Sequence, residues 1–286
     1  MPEAPAWSDD LLSNPHAVAD KRSRVREMFA AIAPSYDLNN RLHSFGRDQA
    51  WRRAAVKLAD LKPTDAVVDV ACGTGDLTVA FANEVHRLAR LERQTTKRDS
   101  WTDPLPVPVL GIDFTYEMLP SNGQKTPSWH FGVYKDEHGQ PILGDVWLQG
   151  TRYLNGDAQQ LPLPDACCDV VSIAFGIRNV QNVDAALREF YRVLRPGGRV
   201  IVLEFSEPTN PVLRALNRFY CGRVMPVTAT LISRDKSGAY KYLPKSVETF
   251  MTRQQMTDHL TAAGFGDITL KPMTFGVCVA YRGVKA

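Results

Sequence analysis

The chain has 286 residues, with 34 basic against 31 acidic side chains, a net charge of +3 and 44% hydrophobic residues, so it can bury the core of one large domain. A balance this near neutral calls for no nucleic-acid partner. Six scattered histidines and five cysteines (Cys72, Cys167, Cys168, Cys221, Cys278), lacking H-E-x-x-H and C-x-x-C spacing, argue against a metal site and a disulfide framework and favour a reducing cytoplasmic setting.

Residues 1–19 are proline-rich and polar, without the basic and apolar regions of a signal peptide, and are expected to be frayed. Helical spacing of Val25, Met28, Phe29 and Ile32 predicts a helix over 21–33, and Trp51, Ala55 and Leu58 predict a second over 48–60. Residues 1–60 thus read as a helical cover for a larger domain, 61–286. In that domain, apolar runs alternate with helical patterns: strand 66–70, helix 76–91, strand 107–112, a short strand near 152–155, strand 169–174, helix 183–194 and strand 199–204. Helix 253–263 and two apolar runs, 267–271 and 275–282, close the chain as a terminal hairpin. The order predicts an α/β fold, a doubly wound and mostly parallel sheet. No apolar run approaches the ~20 residues that span a bilayer.

Two stretches break the rhythm. Residues 92–106 read as an insertion loop, and 120–150, punctuated by Pro120, Gly123, Pro127, Gly132, Gly139, Pro141, Gly144 and Gly150, read as a second insertion. Within it, 129–131 and 146–148 are expected to pair as a hairpin across 136–139. Residues 208–252, rich in Leu213, Leu216, Phe219, Tyr220, Val224, Met225 and Leu231, read either as a lid over an apolar channel or as ordinary core. Basic clusters at 21–26 and at Arg214, Arg218 and Arg223 read first as solvated helix faces and second as peripheral contact with an anionic membrane surface at its inner, cytoplasmic face.

The chemistry concentrates at Asp69-Val-Ala-Cys-Gly73-Thr74-Gly75-Asp76, where a predicted strand turns sharply into a helix. Gly73 and Gly75 permit backbone conformations closed to residues with a Cβ and leave space for a ligand against the main chain. The pattern Gly73-x-Gly75-x-x-Thr78 lacks the third glycine of a dinucleotide loop and the lysine of a triphosphate loop. Asp69 and Asp76 instead offer carboxylates that suit a cationic ligand such as a sulfonium with its ammonium group. Asp76 also suits a helix cap.

In a doubly wound sheet ligands bind beyond the carboxyl ends of the strands. There stand Gly111-Ile-Asp113, whose carboxylate can accept ribose hydroxyls, Asn155-Gly-Asp157-Ala158, a polar and a small residue suited to an adenine, Phe175-Gly-Ile-Arg178-Asn179, and Glu204-Phe-Ser206.

These motifs carry a resemblance. The acidic-apolar-x-Gly-x-Gly loop resembles motif I of the class I S-adenosylmethionine-dependent methyltransferases. Tyr36-Asp37-Leu-Asn-Asn40 followed by Ser44-Phe-Gly46 and Trp51, Phe175-Gly-Ile-Arg-Asn179, and the run from Arg192 through Pro196-Gly-Gly to Glu204-Phe-Ser206 resemble the signatures of the MenG/UbiE family. The resemblance covers residues 25–91, 107–119 and 152–286. Asn39 replaces that family's usual methionine, Asp48 its histidine, Ala174 a serine and Arg195 a lysine, so neither Asp48 nor Ala174 is carried over as a site.

The resemblance implies a seven-stranded sheet with an antiparallel last strand, S-adenosyl-L-methionine as cofactor and methyl transfer to a ring carbon of a reduced polyprenyl quinone precursor, demethylmenaquinol before a ubiquinone precursor. Asp69, Gly73, Thr74, Gly75, Asp113, Asp157 and Ala158 are then the cofactor-binding candidates. A ring carbon becomes nucleophilic once a ring hydroxyl loses its proton, so the site needs a base or a cation that holds the phenolate. Arg178 suits the cation, Tyr36 and Asp37 orientation or proton transfer, and Asn179 a hydrogen bond to the second ring oxygen. Arg178 equally suits a brace to Asp37 or Glu204, Tyr36 an interior aromatic, and His43 a solvent-facing or hydrogen-bonded side chain. A nicotinamide oxidoreductase and a non-catalytic cofactor-binding relative are the rival readings; self-association stays open.

Overall fold

The computed structural model describes residues 7–8, 10–96, 109–120, 134–135, 141–142, 151–235 and 237–286. Of the segment 1–19 expected to fray, residues 1–6 and 9 lie outside the described residues, while Trp7 and Leu12 are packed. Trp7 is 2% exposed and stacks on Tyr242 with ring centroids 4.3 Å apart, and Leu12 joins the same apolar cluster. Burial of one large aromatic ring outweighs the disorder suggested by a polar, proline-rich composition. Helix α1 (Lys21–Ile32) buries Val25, Met28 and Ile32, and a 3-10 turn, Ala33–Ser35, leads to α2 (Tyr36–His43) and α3 (Arg47–Leu58). Sequence spacing foretold α1 and α3; α2, eight residues long, was read only as a motif between them.

Strand β1 (Val67–Val70) is buried at every residue, as expected of a strand covered on both faces. Then come α4 (Asp76–Thr96), β2 (Val109–Asp113), a two-residue pair β3 (Tyr134–Lys135) and β4 (Pro141–Ile142), and β5 (Thr151–Asn155). Strand β6 (Cys168–Ala174), α5 (Val183–Val193) and β7 (Leu194–Phe205) complete the parallel part. Helices α6 (Pro211–Phe219), α7 (Met225–Ser233) and α8 (Ala239–Glu248) precede α9 (Arg253–Ala262) and the closing strands β8 (Phe265–Met273) and β9 (Cys278–Lys285).

The seven strands run in the order β5-β2-β1-β6-β7-β9-β8, with β9 antiparallel to both neighbours. This is the expected doubly wound sheet with its antiparallel last strand. One face is covered by α5 and α9. Val183, Ala186, Leu187, Phe190 and Val193 recur at helical spacing and are buried, while Asn182 caps α5 by accepting from the Ala185 N–H at 3.0 Å. The other face is covered by α3 and α4 through Trp51, Ala55, Leu77 and Phe81. After β1 the chain winds outward to β2 and β5, then returns to the opposite side at β6. The crevice at the carboxyl ends of β1 and β6 is therefore the switch point where such sheets bind ligands.

One expectation changes. Helix α4 continues to Thr96, so the first five residues of the presumed 92–106 loop are helical. No glycine or proline interrupts that stretch before Pro104. The proposed pairing of 129–131 with 146–148 lies outside the described residues; within that insertion β3 and β4 pair antiparallel, Tyr134 opposite Ile142. Residues 208–252 hold α6, α7 and α8, with a π-helical turn, Tyr220–Val224, joining α6 to α7.

Candidate functional site

The glycine loop turns through left-handed backbone at Ala71 (φ 51), Gly73 (φ 55) and Gly75 (φ 84). Its two glycines serve different neighbours. A Cβ on Gly75 would stand 2.5 Å from the Tyr153 hydroxyl, so the space it spares is filled by β5, whereas Gly73 borders a cavity with only Met118 Cε nearby at 3.4 Å. Thr74 donates to Asp37 Oδ1 at 2.6 Å and ties the loop to α2.

Asp69 does not face that cavity. It is 1% exposed and accepts hydrogen bonds from Ser172 Oγ and Thr78 Oγ1, both at 2.7 Å, so it clamps β1 to β6 and α4. Burial pushes its pKa up to about 6 against those two bonds. Asp76 accepts from Gln49 at 3.2 Å and lies 3.8 Å from the Arg41 guanidinium. The pair of carboxylates read as a cradle for a cation is thus engaged by the protein itself.

Asp113, at the end of β2, does border the cavity. Its Oδ2 accepts from the Gly73 N–H at 2.7 Å and its Oδ1 from the Thr115 N–H at 2.8 Å, which fixes the carboxylate against the loop. A carboxylate has about four lone-pair sites, so these two bonds leave capacity for vicinal hydroxyls. Burial pushes the Asp113 pKa up to about 6. Asp157 and Ala158 lie alongside, Asp157 held by the Gln159 N–H at 2.9 Å and by Arg22 at 2.8 Å. The cavity measures about 100 Å³, because Arg22, Val25 and Phe29 of α1 lie across it. Lys21 fastens that helix, its buried Nζ donating to the Arg178 and Val180 carbonyls, each at 2.8 Å. A glycine floor, a ribose-type carboxylate and a small residue beside a polar one fit an adenosyl cofactor.

A second, larger cleft of about 1170 Å³ opens between α2 and α3 on one side and α6, α7 and α8 on the other. Tyr36 and Phe175 border both spaces. Phe175 ends β6 in a left-handed conformation (φ 56), strained for a residue with a Cβ, of the kind that marks functional sites. Burial raises the Tyr36 phenol above its ordinary pKa, with Asn40 and Arg178 acting in the opposite sense, so the hydroxyl is a neutral donor.

Arg178 borders the larger cleft and is 3% exposed. Its Nη1 donates to Glu204 Oε1 at 2.5 Å and to the Phe175 carbonyl at 2.7 Å, and Nε donates to Ser246 Oγ at 3.2 Å. The brace to Glu204 is therefore present, and the guanidinium still faces the cleft. Asn179 takes a different place from the one expected: it borders the smaller cavity, its amide donating to the Phe175 carbonyl at 3.3 Å and accepting from the Tyr242 hydroxyl at 2.9 Å. The 3-10 turn Ile177–Asn179 points successive side chains to different spaces, which the linear motif did not reveal.

Sequence reasoning set Asp48 and Ala174 aside, but Asp48 borders the larger cleft and Ala174 the smaller cavity. Arg52 and Phe205 were missed; the helical spacing of Arg52 four residues after Asp48, beside Trp51, was the available signal. His43 also borders the cleft, its Nδ1 3.2 Å from the Tyr220 hydroxyl.

Comparison with known proteins agrees with this geometry. The model of the ubiE/COQ5 methyltransferase family matches residues 17–285. The chain is 37% identical over 270 residues to the ubiquinone/menaquinone biosynthesis C-methyltransferase UbiE of Geobacter sulfurreducens, covering 94% of this chain and 91% of that one. It is 33% identical over 272 residues to the mitochondrial 2-methoxy-6-polyprenyl-1,4-benzoquinol methylase of Dictyostelium discoideum, covering 93% and 82%. Among solved structures, a SAM-dependent methyltransferase of Thermotoga maritima, described as a possible histamine N-methyltransferase, superposes with a TM-score of 0.54 at 19% identity, covering 92% of this chain and all of that one. The [4+2]-cyclase SpnF superposes with a TM-score of 0.55 at 14% identity, covering 92% and 95%, so the shared fold does not by itself fix a reaction. Matched along nearly its whole length, the chain belongs to the ubiE/COQ5 family of quinone-biosynthesis C-methyltransferases, with S-adenosylmethionine as the methyl donor.

Proposed function

We propose that this protein methylates a ring carbon of a reduced polyprenyl quinone precursor, with demethylmenaquinol as the preferred acceptor. The observation that supports this reading is the shared border: Tyr36 and Phe175 line both the Asp113 cavity and the larger cleft, so a donor in one and a ring in the other meet at these two side chains. Gly73, Asp113, Asp157 and Ala158 are assigned to the adenosyl cofactor, Thr74 to fixing the loop through Asp37, and Asp69 and Gly75 to holding the loop in shape. Bound there, S-adenosylmethionine supplies an electrophilic methyl. The protein's part is to align the ring carbon and to stabilise the phenolate, with Arg178 as the cation and Tyr36 as the orienting donor.

The acceptor's prenyl tail has a matching surface. Phe45, just past α2, lines the cleft, and it and Leu42 of α2, Leu216 and Phe219 of α6 and Leu231 of α7, on the helices that wall the cleft, are 49–78% exposed. Residues 207–235 carry Arg214, Arg218, Arg223 and Arg234 against Glu207 and Asp235, with Arg218 paired to Glu207 at 2.7 Å. An apolar rim with excess positive charge suits peripheral contact with an anionic membrane face. Among the described residues no helix is long and apolar enough to cross a membrane.

The test supplies purified protein with methyl-labelled S-adenosylmethionine and, separately, demethylmenaquinol and a ubiquinone precursor with the same tail, both kept reduced. Label is expected in the demethylmenaquinol product first. Transfer to the ubiquinone precursor alone would reverse the preference, and transfer to neither would sink the acceptor reading.

A further inference from the structure

Helix α3 places a second buried ion pair in the larger cleft. Asp48 and Arg52 are 3% and 8% exposed, and Arg52 Nη1 donates to Asp48 Oδ2 at 2.7 Å. Asp48 is fixed further by Ser44 Oγ at 2.9 Å and by Gln49 Nε2 at 3.1 Å. The Arg52 guanidinium lies 5.6 Å from the centroid of Phe175; Phe175 and Phe205 are 4.6 Å apart; and the Arg178 guanidinium lies 5.3 Å from Phe205. Trp51 adds a third ring, 6.1 Å from Phe175 and 5.9 Å from Phe205. The wall of the cleft is thus an aromatic surface with an arginine–carboxylate pair on either flank, Arg52–Asp48 and Arg178–Glu204.

Burying two such pairs is costly, and apolar replacements of similar volume are often as stable or more so. Stability alone therefore gives the Arg52–Asp48 pair no purpose. Its chemistry does. Asp48 engages one guanidinium nitrogen, while a guanidinium carries five N–H donors. Beside it stands a carboxylate acceptor. A phenolic hydroxyl both donates and accepts, so such a pair satisfies it; a quinone carbonyl only accepts. A planar ring lying on the aromatic wall with oxygens at opposite ends would meet one pair at each end.

We propose that Arg52 and Asp48 form the recognition point for the second ring oxygen, opposite Arg178, and select acceptors that are para-dihydroxylated and reduced. The assignment rests on the acceptor class proposed above and replaces Asn179, whose amide is turned to the smaller cavity.

The test compares three acceptors with the same short prenyl chain: a 1,4-naphthalenediol and the two monohydroxy analogues that each lack one oxygen. The wild-type enzyme is expected to lose roughly 10–100-fold in kcat/KM on one analogue through the missing hydroxyl, the range of a hydrogen bond to a charged group. Arg52→Met is expected to lose a similar factor on the diol and less than about 3-fold on that analogue, because the hydroxyl and Arg52 act on each other. Asp48→Asn, which keeps the side-chain volume, is expected to show the same coupling with a smaller loss and serves if Arg52→Met does not fold. Binding of S-adenosylhomocysteine by calorimetry should be unchanged in both. Equal losses on all three acceptors would assign the pair a structural role and overturn the proposal. A wild-type enzyme that methylates none of the three overturns the acceptor class itself, and this assignment with it.

Discussion

Arg178 and Glu204 form a buried ion pair at 2.5 Å across the carboxyl ends of β6 and β7, with each side chain under 5% exposed. The contact places a guanidinium at the cleft while a carboxylate holds it still. The cation proposed for the chemistry and a structural brace are then the same side chain, and single substitutions confound them.

Arg178→Ala is expected to abolish turnover while leaving S-adenosylhomocysteine binding intact, and also to destabilise the fold by about 3–5 kcal/mol by stranding Glu204. The double substitution Arg178→Met with Glu204→Met should recover most of that stability in denaturant unfolding. Turnover should stay lost. Recovery of turnover along with stability would remove Arg178 from the chemistry.

The cofactor cavity is about 100 Å³, below the roughly 300 Å³ at which small-molecule sites begin. We propose that helix α1 moves outward to admit the adenosyl cofactor assigned to this cavity. Arg22 bridges to Asp157 and lies 4.6 Å from the Phe114 ring, while Lys21 is bonded to two carbonyls of the β6–α5 connection. Lys21→Ala is expected to accelerate S-adenosylhomocysteine dissociation by about tenfold, the size of a charged hydrogen bond. Arg22→Ala, at a half-exposed contact, should change it by under about fivefold. Stopped-flow displacement measures both; dissociation rates equal to wild type would show that α1 is not the barrier.

The two loop glycines separate stability from binding. Gly75→Ala carries a left-handed backbone penalty of about 1–2 kcal/mol and drives a methyl into Tyr153. It should lower the unfolding midpoint markedly. Gly73→Ala carries the same backbone cost but meets no close neighbour, so its larger effect is expected on cofactor affinity, read by calorimetry. Equal effects on affinity would contradict the division of roles between the two.

Asp113 provides a pH test. Its folded pKa of about 6 exceeds the ordinary 3.8, so between these values the folded state binds more protons than the unfolded one. The stability this group contributes is full below about pH 4 and is lost as pH rises to about 6, by up to about 3 kcal/mol. The stability difference between wild type and Asp113→Asn, from urea unfolding, should fall across that window and level off above it. A difference that rises with pH would show the carboxyl to be depressed instead. Asp113→Asn should also weaken cofactor binding at neutral pH, where the carboxylate is proposed to accept from the ribose hydroxyls.

The sequence by itself determined the sheet, its helices and the residues at its carboxyl ends. Apolar runs such as 66–70, helical spacing such as Val183 to Val193 and the glycine turn at 73–75 are local patterns, and a doubly wound fold sends every parallel strand end to one crevice. Asp113 and Asp157, read from the strand ends, and Tyr36, read from the family motif, border the two spaces. The tertiary structure decided which partner each side chain meets. Asp69 carries the motif yet spends both oxygens on Ser172 and Thr78; Gly75 makes room for Tyr153; Asn179 turns from the cleft toward Tyr242; and Trp7, in a segment that composition marks as loose, is locked against the same tyrosine. All of these contacts except the Asp69–Thr78 bond join residues far apart in sequence. Their energies come from burial and from hydrogen bonds across elements, which no local pattern encodes.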